Sequence, residues 1–180
     1  MDPRPSKKTK KHSPPPLSLR GRALRLLGRR ELSRQELERK LRPYVSITSG
    51  TGDTGEAGDP AELEALLDEL TERGWLSDAR YAEALVRKRT GNFARRSIAQ
   101  ELKRAGVDED VTAAALTQNA ESDPDEEFAA ALALCQRKFR RAPVDQKEKA
   151  RQIRFLQSRG YSIGLALRVI KHAAQPDQET

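Results

Sequence analysis

The chain has one cysteine, two histidines and few rings, and each shortage closes off a class of function. Cys135 stands alone, so there is neither a disulfide framework nor a multi-cysteine metal site within the chain. His12 and His172 lie near opposite ends and make a poor metal pair. No apolar run approaches the roughly 20 residues that cross a bilayer, and the N-terminus lacks an apolar signal core. The expectation is a protein of a reducing cytoplasm with no membrane contact. Phosphate-binding loops of the form Gly-x-x-x-x-Gly-Lys-Ser/Thr, Gly-x-Ser-x-Gly elbows and His-Glu-x-x-His helices are all missing, which points away from an enzyme and from any metal or cofactor.

What is present favours helix. Charged residues make up 34% of the 180 positions and aromatics 4%, and Ala, Leu, Arg and Glu, all good helix formers, dominate the composition. A hydrophobic content of 36% is thin for one compact core of this length. Several small cores in series fit better.

A repeat supports that reading. Ile98 to Val107 and Ile153 to Tyr161 both place a Leu four residues before a Gly, with an apolar residue after it and a new amphipathic run close behind. Leu37 to Val45 is a degenerate third copy, with Leu41 in the role of Leu102 and Leu156, and Val45 at the glycine position. Successive leucines are 61 and 54 residues apart, enough for three helices per unit. The fold class expected is all-α, an elongated, curved array of three tandem three-helix repeats.

Start and stop signals place the helices. Leu19, Ala23, Leu26 and Leu27 form one apolar stripe, and Ser33 with Glu36 three residues on reads as a capping box. Asp59-Pro60 opens a helix carrying Leu63, Leu66, Leu67 and Leu70, which Gly74 stops. Ser77 or Asp78 caps the next, with Tyr81, Leu85 and Val86 facing in; residues 94–105 and 108–118 follow. Asp123-Pro124-Asp125 begins a long helix bearing Phe128, Ala131, Leu132, Cys135 and Phe139, and two more helices span about 145–159 and 162–173. Cys135 on that stripe reads as a core thiol, with a reactive thiol as the alternative. The units predicted are 17–75, with a flexible Gly/Thr-rich linker at 46–59, then 76–120 and 121–174. Residues 1–16, with five prolines and four lysines, read as a disordered basic tail that either solubilises or touches nucleic acid, and residues 175–180 as a frayed end.

Charge is sorted into blocks. Residues 1–45, 46–79, 80–107, 108–127 and 128–180 carry net charges of +10, −8, +6, −8 and +7. Two basic clusters stand out: Arg87, Lys88 and Arg89 with Arg95 and Arg96, and Arg137 and Lys138 with Arg140 and Arg141. Cations near a helix C-terminus complement its dipole, and one or two suffice for that. Five in ten residues point to a polyanion or an acidic protein, the other reading being a solvated face. The acids at 108–110 and 123–127 sit where helix starts want them and are assigned to capping.

At Gly74-Trp75-Leu76-Ser77-Asp78-Ala79-Arg80-Tyr81-Ala82, and on through Arg87-Lys88-Arg89, Arg95-Arg96 and Leu102-Lys103-Arg104-Ala105-Gly106-Val107, the chain resembles the RecX family of recombinase regulators. Ser33 to Leu37 and Arg159-Gly160-Tyr161 look like that family's flanking units, so the resemblance covers about residues 19–173. Two departures are Asn92-Phe93-Ala94, where the family has a Gly-Pro or similarly tight turn, and the 46–59 insertion.

The resemblance implies a regulator without catalysis of its own, lying along the groove of a RecA filament on single-stranded DNA. It would limit filament extension and depress ATP hydrolysis and strand exchange in recombinational repair and the damage response. The partners implied are the RecA filament and its single-stranded DNA, met by a monomer. The residues expected to make contact are Arg87, Lys88, Arg89, Arg95, Arg96, Lys103, Arg104, Arg137, Lys138, Arg140 and Arg141. Gly74, Trp75, Leu76, Asp78, Arg80, Tyr81, Ala82, Leu102 and Gly106 read mainly as scaffold: Asp78 as a cap, Trp75 and Tyr81 as junction packing, the glycines as helix ends. The alternatives are a direct DNA-binding module, since residues 98–111 run helix, Gly turn, helix, and an adaptor for another acidic partner. Three acids opening the second helix weigh against groove insertion.

Overall fold

The computed structural model describes residues 17–45, 60–119 and 124–174. The expected tail, linker and frayed end, with the Asp59 and Asp123 caps, lie outside those residues. All regular elements among them are helical: α1 (Leu19–Leu27), α2 (Arg34–Leu41) with a 3-10 turn at Arg42–Tyr44, α3 (Pro60–Glu72), α4 (Asp78–Arg89), α5 (Arg95–Arg104), α6 (Glu109–Asn119), α7 (Pro124–Phe139), α8 (Gln146–Ser158) and α9 (Ile163–Ala173). Side-chain oxygens cap six of them, Ser18, Ser33, Ser77, Asp108, Asp145 and Ser162 each accepting from a backbone N–H in the first turn. Such a cap stabilises a helix by about 1 kcal/mol. Ser77 therefore caps α4, and Asp78 is released for another contact.

The apolar residues collect into three cores rather than one. Leu19, Leu32, Leu37, Leu41, Leu67 and Leu70 belong to the first, which extends to Leu76. Tyr81, Val86, Ile98, Leu102 and Leu116 belong to the second. Ala131, Leu134, Leu156, Tyr161 and Val169 belong to the third, which also takes in Ala94. These cores centre on α1–α3, α4–α6 and α7–α9, an elongated all-α array of tandem three-helix units. Small cores in sequence order keep the packing local, which a chain of low hydrophobic content requires.

The Leu-to-Gly signature is a helix stop. At Gly106 and Gly160, φ is +76° and +92°, and the residue after each glycine donates back to the leucine carbonyl, Val107 to Leu102 at 3.1 Å and Tyr161 to Leu156 at 3.2 Å. This closes the last turn with a left-handed residue. The same motif ends α3, where Trp75 donates to Leu70. The signature is thus not unique to the second helix of a unit.

What sets Gly106 and Gly160 apart is what lies against them. Ser33, which caps α2, also donates its hydroxyl to the Ala105 carbonyl at 2.6 Å, and a Cβ on Gly106 would come within 2.6 Å of Gln35 Oε1. The pattern recurs one unit later: the Ala94 N–H at the start of α5 donates to the Arg159 carbonyl at 2.8 Å, and a Cβ on Gly160 would stand 2.6 Å from Ser97 Cβ. Each joint brings a positive helix N-terminus onto the negative C-terminus of the next unit's middle helix. Nothing lies within 4 Å of a Cβ built at Gly74. Side-chain contacts reinforce the first joint, where Asp78 accepts the Arg34 N–H at 2.8 Å and Arg80 pairs with Glu31 at 3.1 Å.

Candidate functional site

α4 ends in three consecutive cations because each is helix-compatible and complements the dipole there. Their side chains part company. Arg87 and Lys88 are exposed, with Glu83 3.7 Å from Arg87. Arg89 turns back into its own unit, pairing with Glu101 at 2.7 Å and lying 4.9 Å above the Phe93 ring. Its buried Nε has no hydrogen-bond partner among the described residues. Arg89 therefore holds the α4–α5 turn rather than facing outward.

That turn is where the sequence departs from the Gly-Pro pattern, and each of its residues is used. Asn92 accepts from Arg137 at 2.6 Å, Phe93 carries Arg89 on its ring with Arg159 at 4.7 Å, and Ala94 makes the backbone joint to Arg159. The Arg137 contact brings the C-terminal end of α7 onto the α4–α5 turn. Two basic clusters separated by about 45 residues of chain thus become one region, with Arg96 exposed and reaching toward the Gly160 carbonyl at 3.5 Å. Arg95 is half-buried. Lys138, Arg140 and Arg141 are exposed, Arg141 standing 3.7 Å from Glu148.

Lys103 and Arg104 do not join this region. They are exposed at the far end of α5, a ten-residue helix about 15 Å long, beside the joint with the first unit. The motif residues fall where structure needs them: Leu76, Tyr81, Ala82 and Leu102 are buried, and Asp78 and Arg80 tie the first two units together. Trp75 differs from the expected junction packing. It remains 44% exposed, with Arg73 5.5 Å from its ring centroid and Arg80 donating to its carbonyl.

Two cations of the region were not anticipated from the sequence. Arg159 sits over both Phe93 and Phe155, and Arg151 lies 5.8 Å above Phe139. Position 159 directly precedes the repeat glycine, the only signal that marked it. Arg151 had none, because it is one charge among many on a solvated helix.

Titratable groups follow their surroundings. Burial raises the Tyr81 hydroxyl above its ordinary value, with the Glu36 charge adding to it, and burial raises Tyr161 likewise. Burial also pushes the Cys135 thiol up, and its Sγ points at Gln152 Oε1 from 3.6 Å, as a core thiol does. Among the described residues no group of three or more His, Cys, Asp or Glu could hold a metal ion, and no helix is long and apolar enough to cross a membrane. The arrangement offers charge and shape to a polyanionic or acidic surface.

Comparison with known proteins gives a consistent answer. Residues 77–116 match the model of the second three-helix domain of RecX and residues 125–170 that of the third. The chain is 43% identical over 159 residues to the regulatory protein RecX of Leptothrix cholodnii, covering 88% of this chain and 91% of that one. It is 40% identical to the RecX of Ralstonia nicotianae, covering 88% and 89% of the two chains, and 38% identical to that of Neisseria meningitidis, covering 88% and 93%. Among solved structures, RecX from Lactobacillus salivarius superposes with a TM-score of 0.58 at 19% identity over 86% of this chain and 94% of that one, a likeness of fold.

Proposed function

The chain belongs to the RecX family of regulatory proteins, and from that premise we propose that it is a non-enzymatic regulator of the RecA filament on single-stranded DNA. It lies along the filament in the cytoplasm as a monomer, restrains filament extension and depresses ATP hydrolysis and strand exchange, and so acts in recombinational repair and the damage response. The observation that carries this reading is the Arg137–Asn92 contact, which gathers exposed cations from the second and third units on one stretch of the array. A row of modest contacts along a polymer adds up by multivalency, so no single deep pocket is needed. Arg87, Lys88, Arg95, Arg96, Arg137, Lys138, Arg140 and Arg141 are the contact residues of this reading, Lys103 and Arg104 make a second contact near the first joint, and Arg89 holds the α4–α5 turn.

RecA ATPase on single-stranded DNA tests the proposal directly. Inhibition is expected at amounts well below one chain per recombinase monomer. Turnover that continues undisturbed at equimolar protein ends it. The direct DNA-reading alternative is disfavoured by α6, which follows the Gly106 turn and begins with exposed Glu109 and Asp110, the latter's N–H bonded to Asp108. Acids at the leading end of a reading helix repel phosphates.

A further inference from the structure

Between the end of α7 and the face of α8 the surface of this basic region sinks into an open hollow of about 330 Å³. Its rim carries Lys138, Arg140, Arg141 and Arg151, against a single carboxylate, Glu148. Four cations facing one acid leave an excess of three positive charges around a volume suited to one small ligand. Arg141 and Glu148 are only loosely paired at 3.7 Å, so the acid does not neutralise the rim.

The floor is not polar throughout. Phe139 forms part of it, half-buried and held edge-on by Phe155 with centroids 5.3 Å apart. Gln152, 4% exposed, closes the bottom and is itself occupied, donating to the Arg141 carbonyl at 3.4 Å and accepting from Cys135. Three guanidinium groups and an ammonium surround a braced ring that already carries a cation, Arg151, 5.8 Å from its centroid. A base that takes the place of that cation on Phe139 frees Arg151 for a phosphate, so stacking and charge act together.

We infer that this hollow is a single-nucleotide subsite for single-stranded nucleic acid, with Phe139 against the base and Arg140, Arg141 and Arg151 on the flanking phosphates. The inference deepens the filament reading and rests on it for its biological setting: the third unit touches the DNA strand, while the cations of α4 and α5 are left for the protein. Arg137, next to Lys138 and bonded to Asn92, leads from the hollow to the α4–α5 turn of the second unit. A strand leaving the subsite therefore has a cationic path toward the second unit. A nucleic-acid strand is favoured here over an apolar protein face because four of the seven lining side chains are cations.

The test uses the full chain and a fluorescent twelve-nucleotide oligothymidine, read by anisotropy across a salt series. Arg140→Gln, Arg141→Gln and Arg151→Gln together should weaken binding at least about tenfold and flatten the log-log salt slope by about 2, near 0.7 per lost phosphate contact on a single strand. Phe139→Leu should weaken binding about fivefold or more with the salt slope unchanged, since stacking carries no counterion. Circular dichroism melting identifies any variant that has lost its fold. For Phe139→Leu, an abasic oligomer that binds native protein as weakly as the variant binds oligothymidine gives the same answer without a mutation. Native affinity and slope in the folded triple variant overturn the subsite, and so does equal native binding of abasic and thymidine oligomers. RecA ATPase is measured in parallel: a native chain that binds the oligomer through the hollow yet leaves RecA turnover untouched overturns the filament reading alone.

Discussion

Single residues at the joints carry more than their size suggests. Gly160 combines a left-handed backbone with a neighbour 2.6 Å from where a Cβ would sit, whereas Gly74 has the backbone without the neighbour. Gly160→Ala is therefore expected to cost about 2–4 kcal/mol and Gly74→Ala about 1–2 kcal/mol, measured by urea unfolding. Equal losses would show that the close approach at Gly160 does not matter. The buried tyrosines make a second prediction. Tyr81 and Tyr161 have folded values raised above 10.0, so protons are held in the native state and released in the unfolded one as pH climbs past 10. Stability should be unaffected by these groups below pH 10 and should fall above it. Tyr81→Phe with Tyr161→Phe should flatten that alkaline decline in a pH series of thermal melts.

At the scale of elements, helix starts do double duty. Ser33 satisfies the first turn of α2 and donates across the joint to Ala105, whereas Ser162 only caps α9. Ser33→Ala should cost about 2 kcal/mol, the loss of a cap plus an unsatisfied carbonyl, against about 1 kcal/mol for Ser162→Ala. Equal costs would mean that the joint is carried by other contacts. The capping box anticipated at Ser33 is half made, because Glu36 turns its carboxylate to the Arg30 guanidinium rather than back to the cap. At the second joint the cap position is Ala94, with no side-chain oxygen. The next unit compensates: Ala94 is buried in the third core and its N–H bonds to Arg159. The degenerate third copy of the repeat has a related cause. The 3-10 turn that follows α2 runs into Val45 with no described helix start docked there, so the glycine demanded at 106 and 160 is not demanded at 45.

At the scale of the whole molecule, the proposed function depends on how many cations face one way. Reversing Arg87, Lys88 and Arg96 to Glu is expected to raise the protein needed for half-inhibition of RecA ATPase about tenfold or more, with melting near native because these side chains are exposed. Unchanged inhibition in the folded variant removes them from the contact surface. Arg89→Ala should behave differently, lowering the melting temperature, since it gives up the Glu101 pair and the Phe93 contact. The sequence blocks of alternating charge correctly marked which stretches are cationic. They lump Lys103 and Arg104 with Arg96, although the two sets stand at opposite ends of α5, a helix about 15 Å long.

Helix positions, apolar stripes, stop glycines and family resemblance were legible in the chain because each depends on residues within a few positions of one another. Leu102 and Gly106 could be read together for that reason, as could Ser33 and Glu36. The meeting of Asn92 with Arg137, the outward set of Trp75, the inward turn of Arg89 and the hollow over Phe139 were not legible. They depend on how one unit's helix start seats on the next unit's helix end, and that geometry is settled by steric fit and hydrogen bonds between segments far apart in sequence. Local periodicity chose the helices; contact across the joints chose which charges share a surface.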